Sequence, residues 1–217
     1  MTPRRALLWA FGLAAVADLA SLAAGFEPGH MVAKPLLMPL LAAHAALSGA
    51  PRLLIAALLC GWGGDVLLLS DAEPAFLAGM ASFAAGHVCY LTLFKAYGRA
   101  GTRPGPLLAA YGVVLAATVA ALWPDLPADL RVPVAGYSLL LTAMAYAAAS
   151  RFGRLAGIGG ALFVLSDTLI ATGVAEWPQA PRPDLWIMLT YIAAQFLLAR
   201  GTLRDRVPGG DTARATV

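Results

Sequence analysis

The chain has 217 residues, of which 60% are hydrophobic and only 12% charged, with a mean hydropathy of +0.74. A soluble globular domain carries roughly a quarter charged residues, so a water-soluble fold is excluded and an all-α integral membrane protein is expected. The formal net charge is only +3, so the placement of the charges is more informative than their sum.

Eight apolar spans follow one another, at approximately 6–24, 31–48, 52–70, 74–97, 105–123, 130–150, 155–175 and 183–201. Each is long enough for a membrane helix of about 20 residues. The first begins MTPRRALLWAFG, a basic start that resembles a signal peptide. Asp18 interrupts its apolar run, however, and Phe26-Glu27-Pro28 leads straight into the next span, so it is read as a retained helix. The second carries Lys34 in AKPLLMPLL, where Pro35 and Pro39 can bend a helix and free backbone carbonyls. The third, CGWGGDVLLLS, sets Asp65 beside Gly61, Gly63 and Gly64, small residues that let helix backbones approach closely. His87 and Tyr90 lie on the fourth, in SFAAGHVCYLTLF. The fifth and sixth offer no candidate. Ser166 and Asp167 lie on the seventh, in GGALFVLSDTLIATG, and Tyr191 and Gln195 on the eighth, in LTYIAAQFLLARG.

The loops are short and rich in Gly and Pro, which marks compact helical hairpins. With the N-terminus in the cytoplasm, Arg4, Arg5, Arg52, Lys95, Arg99, Arg103, Arg151, Arg154, Arg200, Arg204, Arg206 and Arg214 fall on one side. Only Lys34, Arg131 and Arg182 fall on the other. That is the asymmetry of a protein with both termini in the cytoplasm. Trp123, Trp177 and Trp186 suit the opposite interface. The expected organisation is one membrane domain of eight transmembrane helices over 1–201 and a basic, disordered cytoplasmic tail over 202–217.

A carboxylate at bilayer depth costs about 2.5–3.5 kcal/mol and marks a functional site by default. Asp65 and Asp167 both come to mid-membrane, slightly toward the outer side, and Lys34, His87, Tyr90, Tyr191 and Gln195 recur at membrane depth around them. The expectation is a wet pocket onto which both acids face. Two carboxylates in one low-dielectric cavity do not both ionise readily, so a protonated acid beside a carboxylate is expected. Such a pair suits acid-assisted addition of water. It equally suits a proton relay in a proton-coupled transporter of a small lipid or metabolite, and composition does not choose between them. His30, His44 and His87 lack clustered spacing, so no metal site is expected. Cys60 and Cys89 are read as small buried hydrophobes.

Taken in order, Lys34-Pro35-Leu36, Gly64-Asp65, Gly86-His87 with Tyr90, Ser166-Asp167, and Tyr191 with Gln195 resemble the YhhN/TMEM86 family of lysoplasmalogenase-like membrane proteins. The resemblance runs over essentially the whole chain. It implies hydrolysis of the vinyl ether bond of a lysoplasmalogen to a fatty aldehyde and a glycerophospho-ethanolamine or -choline, without cofactor or metal. Asp65 and Asp167 would divide the acid and base roles. Lys34 would meet the phosphate, and His87, Tyr90, Ser166, Tyr191 and Gln195 would orient water and the carboxylates. The implied partners are a lysophospholipid substrate and membrane lipid, not nucleic acid, and the implied location is a bacterial inner membrane.

Overall fold

The computed structural model describes residues 2–99 and 104–204. These form eight helices, α1 (Pro3–Ala24), α2 (Glu27–Leu47), α3 (Arg52–Leu67), α4 (Glu73–Tyr97), α5 (Pro104–Leu122), α6 (Arg131–Arg151), α7 (Gly153–Val174) and α8 (Pro183–Arg204). Short connections make consecutive helices antiparallel neighbours. Thus α1 packs on α2, α3 on α4 and α7 on α8, while α6 bridges α7 and α4, and α8 closes the bundle against α1, α2 and α3. The fifth helix stands at the periphery, held by α6 and touching α7 lightly.

Seven of the helices are long and apolar enough to cross a membrane. The exception is α3, with 16 residues, about 24 Å at 1.5 Å per residue. The expected span over 52–70 is therefore shortened. Its last turn tightens, with Leu69 N donating to Val66 O and Ser70 N to Leu67 O, and the chain then turns into α4. The run VLLLS stays apolar through this turn, so composition alone does not reveal the stop. As a result Asp65 lies near the C-terminal end of α3 instead of in mid-helix.

Two other boundaries move. The second helix begins at Glu27 and runs unbroken through Pro35 and Pro39, so His30 belongs to it. The eighth continues to Arg204, because Thr202 is buried and its hydroxyl donates to Leu198 O at 2.8 Å. The expected tail therefore loses its first three residues to the helix, and the rest of it lies outside the described residues, as does Arg103.

Between helices in lipid there is no hydrophobic driving force, so close packing and polar contacts must hold the bundle. Leu37, Met38, Leu54, Leu58, Leu93 and Met144 are fully buried, while Trp9, Leu13 and Val132 face outward at about 70% exposure, as residues in contact with acyl chains do. Gly160 shows why small residues line the seams: a Cβ there would stand 2.8 Å from Ala145 Cα on α6.

Candidate active site

Polar side chains converge toward the end of the bundle where α1, α3 and α7 finish. They form two networks, one around each acid.

Asp65 is buried. Its Oδ2 accepts a hydrogen bond from Tyr191 Oη at 2.9 Å. Gln195 lies one turn further along α8 and donates from Nε2 to that same hydroxyl at 3.3 Å. Tyr90 Oη, from α4, donates to Gln195 Oε1 at 2.8 Å. Three helices thus meet on one carboxylate, and a glycine makes room for them. A Cβ on Gly61 would lie 2.9 Å from Gln195 Nε2 and 3.1 Å from Tyr191 Oη. The Lys34 charge is within electrostatic reach of Asp65, as is Asp18. Lys34 is itself buried, one helical turn beyond His30 on α2. His30 Nδ1 lies 2.8 Å from Asp18 Oδ1, and this contact ties α1 into the site. Asp18 Oδ2 is buried with no hydrogen-bond partner among the described residues.

Asp167 has a different setting. Its Oδ2 accepts a hydrogen bond from Tyr137 Oη on α6. On the other side of that hydroxyl stands His87 Nε2, at 3.0 Å. The remaining ring nitrogen of His87, Nδ1, is buried without a partner among the described residues, and Phe163 packs edge-on to the ring with centroids 4.8 Å apart. Asp167 is only half-buried because it lines a cavity between α4, α5, α6 and α7. The enclosed volume there is about 70 Å³, and the cavity opens to the surroundings. Its walls are mainly apolar, with Phe76, Met80, Val114, Leu115 and Leu141 among them.

The expectation that both acids face one void meets a wall. Phe83, Phe163 and Tyr191 stack edge-to-face between the two networks, with Phe83–Tyr191 centroids at 5.8 Å and Phe163–Tyr191 at 5.5 Å. Asp167 lines the cavity, and Asp65 does not. The structure thus joins Asp65, Tyr90, Tyr191 and Gln195 in one network, sets Lys34 nearby, and links His87 to Asp167 through the Tyr137 hydroxyl. Ser166 stands apart: its hydroxyl donates to Ile187 O at 3.1 Å, pinning α7 to α8. Cys60 and Cys89 are free thiols and only half-buried, so they are less enclosed than expected.

Sequence reasoning missed Tyr137. It lies one turn and a half into α6, where an aromatic residue ordinarily reads as an interface anchor. Asp18 with His30 also passed without a role. The signal for that pair is a carboxylate and an imidazole on consecutive helices joined by a two-residue turn, which brings them level.

An all-helical polytopic membrane protein, with two interior carboxylates, Asp65 and Asp167, each held by a tyrosine and the second facing an apolar cavity, is the class that fold and site define. Residues 29–202 match the YhhN family, and the chain belongs to it. It is 39% identical over 166 residues to lysoplasmalogenase TMEM86B of Homo sapiens, covering 75% of this chain and 69% of that protein. Over 143 residues it is 39% identical to lysoplasmalogenase TMEM86B of Sus scrofa, covering 66% and 60%. With lysoplasmalogenase TMEM86A of Bos taurus it shares 31% identity over 160 residues, covering 68% and 64%. No solved structure matches the chain.

Proposed function

We propose that this chain is an intramembrane hydrolase that cleaves the vinyl ether bond of a lysoplasmalogen, releasing a fatty aldehyde and a glycerophospho-alcohol. The observation that carries the reading is Asp167, held by Tyr137 and presented to an apolar cavity that opens to the surroundings. The names of the relatives support the choice of substrate. A single-chain lipid matches such a cavity chemically: its hydrocarbon tail lies against Met80, Leu115 and Leu141, and its ether carbon comes beside the carboxyl group.

In the proposed reaction one aspartic acid protonates the β-carbon of the vinyl ether. The resulting oxocarbenium ion is stabilised by the second carboxylate and captured by water, as paired carboxylates do in glycoside hydrolysis. The hemiacetal then collapses to aldehyde and alcohol. Asp65 and Asp167 are the acids. Tyr191, Gln195 and Tyr90 orient Asp65, while His87 serves Asp167. Lys34 receives the phosphate as a charge-assisted partner, and Ser166 acts through the α7–α8 seam. We place both termini in the cytoplasm, on the strength of the basic helix ends gathered at one end of the bundle.

The test is mass spectrometry of a lysoplasmalogen incubated with purified protein in detergent. Aldehyde release that disappears in both Asp65→Asn and Asp167→Asn supports the reading. Uptake of intact ligand into proteoliposomes under a pH gradient, with no covalent change, would replace it with a proton-coupled transporter.

A further inference from the structure

We infer that Asp167 is the acid that protonates the vinyl ether, and that Tyr137 is a positioning residue that fixes which carboxyl oxygen carries the proton. The inference rests on the proposed hydrolysis and divides labour between two acids that sequence treats alike.

Geometry supplies the argument. Of the two acids, Asp167 lines the cavity, whereas Asp65 stands behind Phe83, Phe163 and Tyr191. A group that gives a proton to carbon must reach the carbon, and of the two acids it is Asp167 that lines this cavity. Its two oxygens are unequal. Tyr137 Oη occupies Oδ2. Among the described residues no side chain donates to Oδ1, and it is the oxygen free to face a ligand.

Tyr137 is held in turn. A phenol has one proton to donate. When it points at Asp167 Oδ2, His87 Nε2 must be the protonated nitrogen, donating to the phenol oxygen at 3.0 Å. His87 Nδ1 makes no competing bond among the described residues, so the phenol is the polar anchor of the ring. The chain His87, Tyr137, Asp167 therefore runs as successive donors toward Oδ2 and leaves the acid proton of Asp167 on Oδ1. Tyr137 remains as a donor when that proton departs, stabilising the carboxylate formed.

The steps balance. The C=C electron pair takes the proton from Asp167 Oδ1 onto the β-carbon, and the ether oxygen shares its lone pair with the α-carbon, giving the oxocarbenium ion. Water adds its oxygen to the α-carbon and returns a proton to Oδ1. In the collapse, Oδ1 gives that proton to the departing glycerol oxygen while the carboxylate takes the hemiacetal hydroxyl proton as the aldehyde C=O forms. Asp167 ends protonated, as it began. Asp65, outside this cavity's lining but within electrostatic reach of Asp167, supplies negative charge.

The experiment pairs kinetics with infrared spectroscopy on the full-length purified protein. Tyr137→Phe is expected to lower kcat at least about tenfold with KM within about twofold, the split of a group acting in the transition state. Tyr146→Phe, on the same helix but packed edge-on to Tyr111, is the control and keeps wild-type rates. In the infrared spectrum, a protonated-carboxyl C=O band that vanishes in Asp167→Asn should shift in Tyr137→Phe. An unchanged kcat together with an unmoved band overturns the inference. If the wild type releases no aldehyde, the substrate reading falls by itself and the band alone decides: a shift supports the Tyr137 role and its absence ends it. Should Tyr137→Phe not fold, His87→Gln alters the hydrogen bond on the far side of the same phenol, and the band is read in the same way.

Discussion

Tyr137 on α6 donates its hydroxyl to Asp167 on α7, and this bond joins the α6–α7 seam to the mouth of an apolar cavity. Asp65 has a tyrosine of its own, Tyr191 on α8. The two acid–phenol pairs are arranged back to back, with Phe163 packed against Tyr191 on one side and His87 on the other.

Removing either carboxylate should stop the chemistry without removing the binding site. Asp167→Asn is expected to lower kcat about 100-fold or more, the usual reach of general acid catalysis. Asp65→Asn is also expected to lower it, by weakening charge stabilisation. Aldehyde release measured against enzyme concentration checks both, and wild-type turnover in either mutant ends the paired-acid mechanism.

Gly61 is a steric control on the Asp65 network. Gly61→Ala puts a methyl group within about 3 Å of both Gln195 Nε2 and Tyr191 Oη, so the pair must shift. Misplacement of this kind costs about 10- to 100-fold in rate. The variant should remain helical by circular dichroism while kcat falls. Unaltered kinetics would mean that the Tyr191–Asp65 contact has no part in turnover.

The cavity can be narrowed from its least supported wall. Leu115→Trp on α5 introduces a bulky ring among the lining residues. It should lower kcat/KM for long-chain substrates by about tenfold or more, while short-chain analogues lose less. Equal losses at every chain length would show that the tail lies elsewhere.

The Asp18–His30 contact makes a stability prediction. His30→Ala leaves both Asp18 oxygens buried without a hydrogen-bond partner. An unsatisfied buried group costs about 1–3 kcal/mol, so thermal unfolding in detergent should move to lower temperature. Replacing both residues, as Asp18→Leu with His30→Leu, should recover most of that loss. If the single mutant unfolds with the wild type, the pair does not hold α1 to α2.

Most of the fold was legible because helix length and apolar composition are set by the bilayer. The stop after Leu67 was not, since Leu68 and Leu69 continue the apolar run through a turn that only hydrogen bonding reveals. The membership of the Asp65 network could be read from polar residues that have no other reason to sit in apolar spans, such as Tyr191 and Gln195 one turn apart. What could not be read was rotational phase. Asp65 and Asp167 come to neighbouring places in the bundle, but whether they look into one void depends on where Phe83 and Phe163 point, and the sequence records them as ordinary core aromatics. Tyr137 was hidden for the same reason: its partner is thirty residues away, and nothing local distinguishes it from an interfacial tyrosine.

The brevity of α3 shapes the lipid as well as the protein. A rod of about 24 Å falls short of a hydrocarbon layer of about 30 Å, and mismatch of this kind is met by thinning the bilayer or by drawing polar groups inward. Thinning at that corner would bring the leaflet surface toward Asp65. An amphiphile in a leaflet thinned in that way would need only a sideways step, and no extraction into water, to bring its first carbons toward the depth of the acids.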